Sequence, residues 1–252
     1  MSKSNVSSRV IGNSETDEYK DALVLKSIFE ESLNKQPKAS GKILLLSGVT
    51  LFGQQVKDID LVVIGDLKNY SLEVNTKFRY KISGTDEWKT SSERKVQRVN
   101  FYTFCFVIES KRHSEDRIIR HGQTLKVKYQ YGYKDATTQS ENQGYSLKNF
   151  FEERLGYSPW ITNLIWLKNI SSGTIKGWFK DAVDYDSHNY LPSRFKVEYL
   201  FQLACLNQVP WKSGNGNISF SAYLKDTFPE EKDLVDAFDL FEKVKKSTGE
   251  IT

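Results

Sequence analysis

The run Phe101-Tyr-Thr-Phe-Cys-Phe-Val-Ile-Glu-Ser-Lys111 is apolar and aromatic until its last three residues, where a carboxylate and an amine stand two positions apart. Such a run reads as a strand in a buried sheet. Side chains alternate faces along a strand, so Glu109 and Lys111 point the same way. An unpaired ion on a buried face costs several kcal/mol, so the fold must bring these charges partners. Upstream, Gly53-Gln-Gln-Val-Lys-Asp-Ile-Asp-Leu-Val-Val-Ile-Gly65 puts Asp58 and Asp60 at the start of a second apolar strand. If the two acid-bearing ends meet, Asp60, Glu109 and Lys111 compensate one another.

That meeting has a chemical reading. Mg²⁺ takes oxygen ligands and usually keeps several waters, so Asp60, Glu109 and one main-chain carbonyl, that of Ser110, complete a one-sided site. The open side is left for water and a phosphate. Lys111 then stands where it can orient or activate the attacking water and offset phosphate charge.

At 252 residues the chain can bury a full core, and its length suits one large domain or one domain plus an appendage. Its 36 Lys and Arg against 32 Asp and Glu leave a formal charge of +4, a weak lean toward an anionic partner. An apolar fraction of 38% argues against a disordered chain. No stretch reaches the ~18 apolar residues of a membrane span, and Met1 to Ser8 lacks the apolar centre of a secretory signal. Cys105 and Cys205 are the only cysteines, a pattern that fits a reducing cytoplasm. Both read as small core residues.

In chain order, residues 1–14 are rich in Ser and Asn and read as a flexible lead-in. A helix is expected from Thr16 to Leu33, with Ala22, Leu25, Phe29 and Leu33 on one stripe and Glu18 one turn earlier on the same face. Glu18 is either a first-turn acid favoured by the helix dipole or part of the site. Strands follow at Ile43 to Leu46 and Asp58 to Ile64, with a turn or short hairpin at Val49 to Val56. Residues 66–99 are a polar interval with short strands at Ser71 to Val74 and Phe78 to Ile82. Its tail carries Arg94, Lys95 and Arg98, either a solvated hairpin or a nucleic acid contact. Leu125 to Tyr131 alternates as a half-exposed strand. Asp135 caps an amphipathic helix reaching Leu155, with Gln139 and Gln143 one turn apart and Gln143 on the inner face. Ile161 to Leu167 is a further strand. The order implies an α/β core with a mixed sheet over 15–170. Residues 171–252 read as a mainly helical extension, with Trp178 and Phe179 in a Gly-flanked segment and helices at Ser193 to Leu206 and Glu230 to Lys246.

Lys57-Asp-Ile-Asp-Leu-Val-Val-Ile64, Phe106-Val-Ile-Glu-Ser-Lys111, the Gln-bearing helix and the strand 161–167 together resemble the nuclease-related domain, NERD. This is a branch of the restriction-endonuclease-like superfamily with the Asp…Glu-x-Lys signature, and the resemblance covers roughly residues 12–170. It implies a restriction-endonuclease-like core, a central mixed sheet flanked by helices, and Mg²⁺- or Mn²⁺-dependent endonuclease cleavage of DNA in DNA processing or defence. Asp60 and Glu109 would be metal ligands, Lys111 the catalytic lysine, and Gln139 or Gln143 the helix polar residue near the scissile phosphate. Glu18 would match the carboxylate that many members place on their first helix. Asp58 stands where the family often has Glu. Arg112, just past the signature, joins Arg94, Lys95 and Arg98 as candidate DNA contacts. The family's fusions to helicase-like or kinase-like regions make such a region an implied partner, and the resemblance leaves room for a homodimer.

Other readings compete. The histidines His113, His121 and His188 lack metal-ligand spacing. No Gly-rich phosphate loop followed by Lys-Ser or Lys-Thr occurs, so ATPase chemistry is not expected. Aromatic residues at 101, 102, 104 and 106 suit a packed core better than base stacking. The chain could instead be a DNA-docking or assembly module that keeps the fold without the reaction. Its acidic pair and Lys111 could also be only an ion network at a sheet edge, with protein partners using the Trp178 region.

Overall fold

The computed structural model describes residues 5–51, 53–54, 58–121, 124–178 and 189–222. In chain order the elements are β1 (Asn5–Ile11), α1 (Asp17–Leu33), β2 (Ser40–Thr50), β3 (Asp58–Lys68), β4 (Ser71–Thr76), β5 (Arg79–Lys81) and β6 (Trp88–Thr90). Next come β7 (Lys95–Lys111), a 3₁₀ turn (Glu115–Arg117), β8 (Ile118–His121), β9 (Thr124–Tyr129), β10 (Gly132–Asp135), α2 (Ala136–Leu155) and β11 (Ile161–Leu167). Last are α3 (Ser172–Trp178), β12 (Tyr190–Leu191), α4 (Val197–Asn207), β13 (Trp211–Lys212) and β14 (Ile218–Ser221). The described residues form a mixed α/β fold, a large central mixed sheet flanked by four helices.

β7 is the axis of that sheet. Its 17 residues are long enough to serve two sets of neighbours. The first half pairs antiparallel with β4 and parallel with β14, while the second pairs antiparallel with β3 and parallel with β11. β3 and β4 follow one another along the same side of β7, and the break between them is made at Asn69, whose φ of 56° is a left-handed conformation that Asn tolerates.

Alternation along β7 sorts its side chains into two cores. Phe104, Phe106 and Ile108 face α1 and α4, where they pack with Leu25, Phe29 and Phe201. Cys105 and Val107 face α2, where Leu147, Phe150 and Phe151 cover them. Both helices are well delimited. Thr16 Oγ1 accepts from the Tyr19 N–H at 3.2 Å at the start of α1, and Asp135 Oδ1 accepts from the Thr138 N–H at 2.9 Å at the start of α2. Gly156, at φ 73°, closes α2 in the left-handed region where glycine carries no Cβ penalty.

The termini differ from the sequence expectation. The segment expected to be a flexible lead-in contains β1, paired parallel with β2 from Asn5↔Ser40 to Ile11↔Leu46. Its Ser and Asn composition signals flexibility locally, whereas the ladder with β2 and the packing of Val6 and Val10 on the core hold it in place. The expected boundary at residue 170 is no boundary either. β12 extends the sheet beside β11, β14 pairs with β7, and α4 sits in the main core. Phe201 explains why: its ring lies 4.3 Å from Phe101, 5.0 Å from Phe104 and 5.6 Å from Phe106, centroid to centroid. The expected helix Glu230 to Lys246, Phe179, His188 and Lys57 fall outside the described residues. β2 runs to Thr50, into the stretch expected to form a turn.

Candidate functional site

The sheet register decides which charged groups meet. Leu61 pairs with Ile108 and lies with it in the α1 core, so the preceding Asp60 falls on the α2 side together with Glu109. The Ser110 N–H donates to Asp60 Oδ2 at 2.8 Å, which fixes that carboxylate against the end of β7. On the other side, the Lys111 carbonyl accepts from the Lys168 N–H at the end of β11. Successive main-chain groups alternate sides, so the Ser110 carbonyl is directed toward β3, past Leu61↔Ile108 where that ladder ends.

Glu109 and Lys111 are 2% and 5% exposed, and the ion pair between Lys111 Nζ and Glu109 Oε1 is therefore a buried one. Lys111 Nζ also reaches Gln139 Oε1 at 3.1 Å and the Tyr129 hydroxyl at 3.4 Å, so each of its three donors has an acceptor. Gln143 Nε2 donates to Glu109 Oε2 at 2.6 Å and to the Asp58 carbonyl at 3.2 Å. Gln143 Oε1 is buried with no hydrogen-bond partner among the described residues. Thus α2 contributes both glutamines from one face, one on the lysine and one on the acid.

Electrostatics follow from this crowding. Burial first, and then the charge of Glu109, push the Asp60 carboxyl from its ordinary 3.8 up to about 7, against the Ser110 hydrogen bond and the Lys111 charge. Burial alone would lower the Lys111 pKa, yet pairing with Glu109 and Tyr129 outweighs it and the net shift is upward. Lys111 is accordingly an ammonium at neutral pH. His113, whose ring is 4.8 Å from that of Tyr129, is held below its usual pKa by burial and by the charges of Lys111 and Arg117.

On the opposite face of β7, Ser110 Oγ donates to Asp21 Oδ2 at 2.7 Å. Asp21, only 2% exposed, also pairs with Lys168 at 2.9 Å and with Arg112 at 2.9 Å. Sequence reasoning missed Asp21, although its spacing from Leu25 places it on the buried stripe of α1. It also missed Tyr129 as a neighbour of Lys111, since only the packing of the β9 strand against β11 brings it there.

The remaining expected residues are placed as follows. Glu18 is half-buried on the first turn of α1, and its charge reaches Asp60. Asp58 is exposed and enters only through its carbonyl. Among the described residues no three His, Cys, Asp or Glu side chains form a group able to hold a metal, so Glu18 is not gathered with Asp60 and Glu109. Arg94, Lys95 and Arg98 lie at the opposite end of β7. Arg98 is eleven residues from Glu109, roughly 36 Å of strand at ~3.3 Å per residue. Arg98 Nε is bonded to Ser71 Oγ at 2.9 Å, and Lys95 pairs with Glu93 at 3.6 Å. Arg112 alone of the four is beside the site, engaged with Asp21 and with the Asp17 carbonyl. His113 and His121 supply no metal group among the described residues. No helix among the described residues is long and apolar enough to cross a membrane.

The oxygen donors at the end of β7 are of the kind a small hard cation takes, although Asp60 Oδ2 and both Glu109 oxygens have protein partners. Burial raises Asp60 most and the Glu109 charge adds to it, and a cation beside both carboxylates would offset that second contribution. With the Ser110 carbonyl they would make a sparse protein set of the kind on which Mg²⁺ keeps several waters. Set against known proteins, the chain matches no family model, no curated protein and no solved structure.

Proposed function

We propose that this chain is a divalent-metal-dependent phosphodiesterase that cuts DNA, built on a restriction-endonuclease-like core of the NERD kind. The observation that carries the reading is the convergence at the C-terminal end of β7. Asp60 and Glu109 adjoin there, and Lys111 is held as an ammonium by two partners besides Glu109. Asp60, Glu109 and the Ser110 carbonyl would hold Mg²⁺ or Mn²⁺, which when bound supplies a Lewis acid and water of lowered pKa.

The protein's own groups have distinct tasks. The Lys111 ammonium offsets the charge that builds on the phosphoryl oxygens, a stabilisation largest where water is excluded, and donates a hydrogen bond to them by giving up its longest contact, the Tyr129 hydroxyl at 3.4 Å. Being protonated, it cannot serve as the base. Gln143 fixes one oxygen of Glu109 and Gln139 one direction of Lys111, so the two charged groups keep their spacing when a phosphate enters. The Ser110 N–H holds Asp60 in register with them.

One observation favours a second reading, a DNA-docking module without cleavage: both Glu109 oxygens and all three Lys111 donors already have protein partners. Supercoiled plasmid incubated with the protein and Mg²⁺ or Mn²⁺ separates the two. Metal-dependent conversion to the nicked form supports the phosphodiesterase, and a mobility shift of uncut plasmid supports docking.

A further inference from the structure

The second, three-stranded sheet is the most basic and aromatic stretch near the site. From Ile118 to Asp135 it carries the cations Arg120, Lys126, Lys128 and Lys134 against one carboxylate of its own, Asp135, which caps α2 across from Lys126, while Asp116 of the preceding turn lies near enough to Lys128 to feel its charge. Leu125 and Val127 face inward, packed with Ile165 and Leu167 of β11, so the hairpin has a fixed base on the central sheet. Its outer face bears Lys126 and Lys128, with Tyr133 directly across from Lys128. Gln130 and Tyr131 form a two-residue turn between the paired Tyr129 and Gly132. Tyr131 is 92% exposed and Tyr133 50% exposed.

A tip tyrosine that open to water buries almost nothing on folding, so the fold gains little from it. Its position is informative. Tyr129, two residues before it, is bonded through its hydroxyl to Lys111 Nζ at 3.4 Å, and Lys134 Nζ lies 5.0 Å above the Tyr129 ring. The hairpin therefore runs from the candidate lysine outward to an exposed ring at its tip, with Lys128 and Lys134 on the strands behind it.

We infer that the β9–β10 hairpin grips a single-stranded stretch of nucleic acid, Tyr131 stacking on an unpaired base while Lys126 and Lys128 follow its phosphates. The inference rests on the phosphodiesterase reading and names the substrate form that the same site receives. Exposed rings stack on bases only where those bases are free of a duplex, and amines beside them track the backbone without reading sequence. Single-stranded nucleic acid fits both features.

The test measures binding of a labelled single-stranded oligodeoxynucleotide by fluorescence anisotropy in EDTA, so that no cleavage occurs. Tyr131→Ala is expected to weaken binding about tenfold, and Tyr131→Phe to bind like the wild type. On a probe carrying an abasic position at the stacking site, wild type and Tyr131→Ala should bind alike. Lys126→Gln with Lys128→Gln should reduce the slope of log affinity against log salt by about 0.7 for each amine–phosphate pair removed. Unchanged affinity in Tyr131→Ala overturns the inference, as does equal weakening by Tyr131→Ala on a duplex probe. These arms need no metal. Tyr131-dependent binding without any plasmid nicking would leave the hairpin's role standing and defeat the phosphodiesterase; nicking with an indifferent Tyr131 would do the reverse.

Discussion

Gln143 Nε2 donates to Glu109 Oε2 at 2.6 Å, tying α2 to the acid at the end of β7 across 34 positions of sequence. Since Lys111 takes the other carboxylate oxygen, Glu109 is gripped from both sides inside the protein. The candidate site is therefore part of the fold's interior, and substitutions there act on stability as well as on the proposed chemistry.

The Glu109–Lys111 pair sets the first expectation. Glu109→Ala or Lys111→Ala leaves one buried charge unpaired and should cost about 3–5 kcal/mol of stability in denaturant unfolding. Glu109→Gln combined with Lys111→Met removes both charges at similar volume and should lose much less. A double variant as unstable as either single alanine variant would show that the pair is not the source.

The raised Asp60 pKa predicts a pH dependence in the metal-free protein. Its folded value, about 7, lies above the ordinary 3.8, so between those values the folded state holds a proton that the unfolded state has released. Its contribution to stability is complete below about pH 4 and is lost as pH rises through about 7. In EDTA, the difference in melting temperature between wild type and Asp60→Asn should widen against the wild type over that window. A difference that stays flat would contradict the assignment.

Asp21 offers a test on the other face of β7. Asp21→Ala strips Lys168, itself largely buried, of its carboxylate and leaves Ser110 Oγ without an acceptor. The loss should be about 3 kcal/mol by urea unfolding, less than a fully buried pair because Arg112 is partly solvated.

Much of this is legible in the chain alone because it is local. The Thr16 and Asp135 caps, the apolar stripe of α1, the bounds of β11 and the inward position of Gln143 all follow from periods of two and 3.6 residues. The convergence of Asp60, Glu109 and Lys111 is legible too, because charges at the ends of apolar strands demand partners. What the chain hides is non-local. The polar composition of residues 5–11 does not reveal that β2 offers them an edge, and an apolar helix such as α4 looks the same in an appendage as in a core. Arg94, Lys95 and Arg98 look close to the site only as long as the polar start of β7 is not recognised as part of that strand.

Phe201 tests whether the C-terminal segment belongs to the core. Phe201→Ala should cost about 3–5 kcal/mol, since its ring touches Phe29, Phe101, Phe104 and Phe106. A chain ended at residue 170 should lose cooperative unfolding, monitored by tryptophan emission. Retention of a sharp transition would mean that residues 15–170 fold alone after all.

Metal-dependent cleavage at the end of β7 is decided by nicking of supercoiled plasmid in Mg²⁺ or Mn²⁺, wild type against Glu109→Gln, whose folding is checked by circular dichroism. The wild type should nick, and EDTA should stop it. The folded Glu109→Gln protein should be slower by at least about a hundredfold, on the order of 3 kcal/mol of transition-state stabilisation. Nicking by Glu109→Gln at the wild-type rate, or none by the wild type with either metal, would contradict the assignment of the site.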